Sequence, residues 1–270
     1  SGKFEKSSHR VAKEAKSLGL FDKTYVFSEK NLPLSIKSSP LFYSKRGGGY
    51  WLWKPFIIDK VLDEIENGDI IVYSDAGNEL FTSNKWNEYF NLLNKYSSIF
   101  FQYREDFDYG WSKYNAEYND SPKIKYWTKM NTINHFRNLF ASEEDWLEKN
   151  KIMAGLIFIK KDNNSRELIK EWLNNMLYFP QNVCDVMEWE KNNQIIGFSK
   201  HRHDQSILSI LVRYFEKYKN ILVLNEEFES LNKNQVVKTS RKIIPNKTVS
   251  AILRKIKKRF KSLIKDIFTS

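Results

Sequence analysis

The run Asp69-Ile70-Ile71-Val72-Tyr73, set between Gly68 and Asp75, constrains the fold more than any other part of the chain. An apolar, β-branched run without polar alternation reads as a strand covered on both faces. The segment before it opens at Lys54-Pro55 and carries Ile57, Ile58, Val61, Leu62 and Ile65 at helical spacing. Proline suits a first helical turn, where its missing N–H has no intrahelical partner, and Gly68 suits the exit. A doubly covered strand entered from a helix belongs to a layered α/β structure.

The rest of the chain repeats that alternation. Helices are predicted over Ser7 to Leu18, Asn84 to Tyr96, Thr128 to Phe140, Ser142 to Lys149, Asn164 to Tyr178 and His203 to Tyr218. Strands are predicted at Thr24 to Phe27, Ile99 to Tyr103, Met153 to Ile159 and Ile221 to Leu224. Parallel neighbours need crossover connections, so the alternation predicts a mostly parallel sheet with helices on both faces. With 270 residues, 41% of them apolar and 15% aromatic, the chain can fill the core of one large domain. The expected organisation is an α/β domain over residues 1–232, a linker over 233–247 marked by Pro245, and an appended helix over 248–270.

The formal charge of +11 invites a nucleic-acid reading, but its distribution argues otherwise. Residues 1–232 balance, and the whole excess lies between Lys233 and Ser270. There Val249, Ile252, Leu253, Ile256, Phe260, Leu263, Ile264 and Ile267 recur at three- and four-residue steps, with Lys and Arg on the other faces. This pattern predicts a basic amphipathic helix suited to the inner face of an anionic membrane, where each basic side chain contributes about 1 kcal/mol. So regular an apolar stripe does not suit a solvated nucleic-acid arm, and no nucleic-acid partner is expected. The alternative for the tail is a helix packed on the body or on a dimer partner.

A single cysteine, Cys184, excludes an internal disulfide framework and gives no zinc spacing. No run of 18 apolar residues occurs, and Ser1 to Lys6 lacks the apolar core of a secretory signal. A cytoplasmic protein, peripheral on the cytoplasmic membrane, is the expectation.

Ligands of open α/β sheets sit beyond the carboxyl ends of strands, which is where Asp75 falls. Ser74-Asp75-Ala76-Gly77 also satisfies ordinary turn chemistry. Lys54 at a helix start can face an anion together with the helix N-terminus, or it can be a solvated lysine among core tryptophans. Gly47, Gly48 and Gly49 let backbone approach a phosphate. Asp204 opens a helix, a position that also suits a cap. The loop from Arg104 to Trp127 interleaves Phe107, Tyr109, Trp111, Tyr114 and Tyr118 with carboxylates. Such rings suit sugar faces, or they pack against one another.

Three blocks, Gly49-Tyr50-Trp51-Leu52-Trp53-Lys54-Pro55, Gly68 to Gly77, and His203-Asp204-Gln205-Ser206, together resemble bacterial glycosyltransferases of the GT-A type found in capsule and O-antigen gene clusters. They are similar, more distantly, to the retaining galactosyltransferases of lipopolysaccharide synthesis and to glycogenin. The resemblance implies a GT-A, Rossmann-like fold and transfer of a hexose from a nucleotide diphosphate sugar, a UDP-sugar, to a glycan or lipid-linked glycan hydroxyl. It implies donor contacts at Lys54 and Asp75, Mn2+ or Mg2+ on Asp75, and catalytic roles for Asp204 and Gln205. The residues themselves add Arg46, Trp53, Ala76 and Gly77 as candidate donor contacts, Tyr109, Trp111, Lys129 and His203 as candidate acceptor contacts, and His201 or His203 as candidate partners of Asp75 on the cation. Two features depart from the pattern: Gly77 replaces the second Asp of Asp-x-Asp, and the strand that leads those relatives into the region of Ser1 to Lys6 is absent. The reading from a different class is a non-catalytic membrane- or nucleic-acid-binding module acting through the basic tail.

Overall fold

The structure, a computed structural model, describes residues 2–140, 144–229 and 234–240. Helix α1 (Gly2–Leu18) leads through an extended stretch to a short turn of helix, α2 (Leu34–Lys37), a compact turn, α3 (Gly47–Tyr50), and α4 (Trp53–Glu64). Strand β1 (Ile70–Ser74) and the two-residue β2 (Glu79–Leu80) follow, then α5 (Lys85–Leu92) and β3 (Ser98–Gln102). A long excursion carrying α6 (Trp111–Tyr114) and α7 (Met130–Phe140) returns to β4 (Ile152–Lys160). Helix α8 (Asn163–Tyr178), α9 (Asp204–Phe215), β5 (Ile221–Asn225) and β6 (Val237–Lys238) complete the described chain.

The main sheet has the order β1-β4-β3-β5. It is a mixed sheet: β4 runs antiparallel to both neighbours, and only β3 and β5 are parallel. This corrects the expected mostly parallel sheet. The reason lies in the excursion over residues 103–151, which leaves β3 at Gln102 and rejoins the sheet beside it at Ile152, so β4 starts where β3 ended. Such a return makes an antiparallel pair however many helices it carries. Among the described residues Thr24 to Phe27 joins no ladder, and of the helix expected over 142–149 the described part, Glu144–Glu148, is a 3₁₀ segment.

Both faces of the central strands β3 and β4 are covered, whereas β1 lies at the edge of the sheet with Ile70 exposed and Tyr73 its one buried residue, which corrects the expected strand covered on both faces. Ile157 and Ile159 of β4 and Phe100 of β3 face a cluster built from α4, α8 and α9, with Leu62, Leu168, Trp172 and Ile207 at its centre. Leu156, Phe158, Ile99 and Phe101 face the other way, onto Trp86 and Tyr89 of α5 and Val237 of β6. Each fully buried Leu, Ile or Phe removes enough apolar surface from water to contribute about 1.5–3 kcal/mol. Helix α8 starts sharply because Asp162 accepts the Ser165 N–H at 2.9 Å while Ser165 Oγ accepts the Asp162 N–H at 3.2 Å.

The predicted linker does not begin at residue 233. Strand β6 pairs antiparallel with β2, so residues 234–240 belong to the body. The expected amphipathic helix at 248–270 lies outside the described residues.

Candidate active site

The C-terminal end of β1 is where three charged side chains meet. The ladder continues one residue past the strand, since the Asp75 N–H donates to the Gly155 carbonyl at 2.9 Å. Lys54, from the first turn of α4, points into the same place: its Nζ donates to the Ala154 carbonyl at 2.9 Å and lies 3.4 Å from Asp75 Oδ1 and 3.1 Å from Asp204 Oδ2. Lys54 is 3% exposed and Asp204 6%, whereas Asp75 is 39% exposed. One buried ammonium thus joins a buried carboxylate to one open to solvent. The Tyr73 hydroxyl donates to Asp75 Oδ1 at 2.6 Å, which fixes the rotamer of the exposed acid.

These environments push the ionisation equilibria apart. Burial pulls the Lys54 pKa down, but the charges of Asp204 and Asp75 outweigh it, and the net direction is upward. Asp204 is pushed up to about 6, mainly by burial, with Lys54 opposing. A buried charge cluster is costly and weak evidence of stability by itself; at a strand end with one member exposed, it marks a candidate site.

Two of the three glycine N–H groups are spent within the turn, Gly48 on the Lys45 carbonyl at 3.4 Å and Gly49 on the Ser44 carbonyl at 3.0 Å. Residues 47–51 all have positive φ: 57°, 58° and 95° for the glycines, 52° for Tyr50 and 61° for Trp51. They form a left-handed turn whose N–H groups are used internally, Tyr50 to Arg46 at 2.8 Å and Trp51 to Gly47 at 3.3 Å. Two consecutive non-glycine residues in this region cost about 1–3 kcal/mol each, so the surroundings must over-determine them. Trp53 locks the turn through its indole N–H to the Gly47 carbonyl, 2.9 Å, and is therefore a structural residue here. A Cβ on Gly47 would lie 2.3 Å from the Trp51 ring. Gly47→Ala is expected to expel that indole and lower the melting temperature by several degrees, read by thermal denaturation; an unchanged melting temperature would contradict the packing described.

The histidines are largely committed to the fold. His201 is buried, with Nε2 2.9 Å from the Asn182 carbonyl and Nδ1 accepting the Lys129 N–H at 3.3 Å; burial holds its pKa well below the usual value. His203 places Nδ1 2.8 Å from the Val183 carbonyl, which can only accept, so that nitrogen carries the proton. Its backbone lies at φ 59°, ψ −121°, and burial lowers its pKa to about 4. Trp51 stacks on its ring at a centroid distance of 5.8 Å. Gln205 spends its amide N–H on the Ile152 carbonyl at 2.8 Å. Arg46 pairs with Asp185.

Two acceptor candidates are placed differently from expectation. Lys129 is buried in an ion pair with Glu190 at 3.1 Å and does not present its ammonium to a ligand. Trp111 is buried under the Lys151 ammonium, which lies 3.7 Å from the Trp111 ring centroid and 3.4 Å from that of Trp127. Tyr109 stacks on Trp111 at 4.7 Å and donates its hydroxyl to Glu226. The aromatic loop packs around a cation of its own chain rather than forming an open sugar platform.

The donor set does not build a resident metal centre. Both nitrogens of His201 are engaged, one nitrogen of His203 is engaged, Gly77 has no ligand, and Asp75 Oδ1 is shared by Tyr73 and Lys54. Among the described residues no group of three His, Cys, Asp or Glu can hold a metal ion. The remaining oxygen of Asp75 fits the single protein carboxylate of a cation carried in by a diphosphate.

Some site residues carried little or no sequence signal. Arg10 of α1 donates to the carbonyls of Ala76 at 3.2 Å and Asn78 at 2.7 Å, and its neighbour Glu14 accepts the Leu80 N–H at 3.0 Å. This pair clamps the turn containing Ala76 and Gly77, while Ser240 Oγ donates to the Gly77 carbonyl at 3.1 Å. Gly155 lets Asp75 lie against β4, since a Cβ there would approach Asp75 Oδ2 to 3.2 Å. A glycine inside an apolar strand is the signal that could have found it.

Comparison of the chain with protein-family models, with curated proteins and with solved structures finds no match.

Proposed function

We propose that the chain is a glycosyltransferase of the GT-A type that moves a hexose from a nucleotide diphosphate sugar, a UDP-sugar, to a hydroxyl of a glycan or lipid-linked glycan in surface polysaccharide synthesis. The observation that carries this reading is the Lys54 ammonium held between Asp75 and Asp204 at the carboxyl end of β1. The resemblance of the three sequence blocks supports it, because one residue of each block, Lys54, Asp75 and Asp204, meets the others at this point.

In this reading the exposed Asp75 contacts the donor, either through a hydroxyl or through a divalent cation that enters with the diphosphate and offsets its charge. Asp204 is too enclosed to be the acceptor's base in this arrangement; it holds Lys54 charged and in place. Gln205, anchored through its amide nitrogen, keeps its amide oxygen for a sugar hydroxyl. The tail, by its sequence pattern, brings the enzyme to the inner face of an anionic membrane.

The test is a screen of nucleotide sugars for donor hydrolysis, with manganese, magnesium or chelator, alongside Asp75→Asn. Sugar release by the wild type and about a hundredfold loss in the variant are expected, the scale of removing one preorganised polar contact. A folded full chain that neither releases sugar from any donor nor binds any nucleotide would sink the reading.

Acid should also slow turnover with a midpoint near pH 6, where Asp204 protonates and Lys54 loses a counter-charge, and Asp204→Asn should lack that limb. The stability sign is opposite. With its folded-state pKa raised above the ordinary value, Asp204 favours the fold most at pH below about 4. Wild type should therefore lose stability relative to Asp204→Asn as pH rises to about 6, read from melting curves between pH 4 and 8.

A further inference from the structure

The two faces of helix α1 are built for different contacts. On the inner face Ser7 and Val11 are buried, and Arg10 and Glu14 hold the turn over residues 76–80. The outer face carries Lys6, His9, Lys13 and Lys16, all exposed and spaced by three and four residues, so they share one side of the helix. Among the described residues none of these three lysines makes an ion pair. Glu14 is spent on Arg10 and the Leu80 N–H, which leaves Glu5 as the one exposed acid of the helix. Residues 1–232 balance in charge, so this stripe is a local excess and not a share of a general one.

A cleft of about 270 Å³ opens beside the stripe, lined by His9, Ala12, Lys13 and Lys16 of α1 and by Thr24 and Val26 of the extended stretch that follows. No acid lines it, so the potential there favours an anion. No Phe, Tyr or Trp lines it either, and a groove for single-stranded nucleic acid needs such rings for bases to stack on. From Lys6 to Lys16 the stripe runs about 15 Å along the helix axis, a length that suits an extended charged surface better than a single small anion.

We propose that the outer face of α1 docks on an anionic membrane, with Lys6, Lys13 and Lys16 against the lipid headgroups and the cleft beside Thr24 and Val26 taking one headgroup phosphate. Because the inner face of the same helix holds the 76–80 turn, a bilayer under α1 lies about one helix diameter, roughly 10 Å, from that turn. The inference rests on the transferase reading for its purpose, since that distance brings a lipid-linked acceptor to the site. It is separate from the basic tail, which is a different part of the chain.

The experiment uses the full-length chain with Lys257, Lys258 and Lys261 changed to Gln, which weakens the tail's own attraction to vesicles. Flotation compares vesicles containing phosphatidylglycerol with vesicles of phosphatidylcholine alone. In that background Lys6→Gln, Lys13→Gln and Lys16→Gln together are expected to weaken binding to the anionic vesicles about a hundredfold, roughly fivefold for each lysine near such a surface. The matching triple change to Arg should keep binding within about twofold of the parent, and all three chains should share one melting curve. Flotation of the Gln chain equal to that of the parent, or a parent that ignores anionic vesicles, overturns the inference. So does a loss seen with poly(U) RNA and absent with vesicles, which would make the stripe a nucleic-acid surface. Sugar release from nucleotide donors without vesicles decides the transferase reading separately.

Discussion

Lys54→Met is expected to abolish donor turnover and to lower stability by about 3–5 kcal/mol, the scale of breaking a buried ion pair by removing one partner. The variant leaves Asp204 buried with its nearest cation gone and Asp75 facing it across the same space. Desolvation then has no compensation, and Asp204 is driven to protonate, which turns the loss into one that deepens as pH rises. For a domain of this size each kcal/mol corresponds to roughly 2–4 °C, so a drop of about 10 °C in melting temperature is the readout. Adding Asp204→Asn to Lys54→Met removes the stranded charge and should recover much of that drop without recovering turnover. A double variant as unstable as the single one would mean that the methylenes of Lys54, not its charge, hold this end of the sheet.

Lys129→Met should be equally destabilising for a different reason. Lys129 is 1% exposed and Glu190 3%; Glu190 Oε2 takes both the ammonium at 3.1 Å and the Met187 N–H at 2.7 Å, while its Oε1 has no hydrogen-bond partner. Removing the lysine leaves one carboxylate with a single donor in a dry environment, again about 3–5 kcal/mol. Here the pair is a brace between α7 and the 180s segment, so donor turnover measured well below the melting point should survive. A variant that melts like wild type but loses activity would return Lys129 to the binding surface.

The difference between these two lysines shows what could be read from the chain alone. The strand at Ile70–Ser74, the helix carrying Lys54 and the helix opening at Asp204 were legible because hydrophobic period distinguishes a strand from an amphipathic helix, although β1 proved an edge strand rather than one covered on both faces. The direction of β4 was not legible, because it depends on where a 49-residue excursion returns, and nothing in the period of β4 records that. Thr24 to Phe27 has strand composition but pairs with no neighbour, and composition cannot supply one. Which way the aromatic loop's rings are used was not legible for a related reason: Trp111 packs against Lys151, which lies 40 residues further along the chain. Arg10 clamps a turn 66 residues away, a distance across which no local pattern operates.

The pairing of β6 with β2, and the Ser240 hydroxyl on the Gly77 carbonyl, have a practical corollary for anyone handling this protein. The described chain ends, at Ser240, beside the Asp75 turn. A shortened version ending before residue 240 would strip the outer wall from that turn while removing the basic extension, and any lost activity would be wrongly charged to membrane detachment. Cutting after Ser240 separates the two effects.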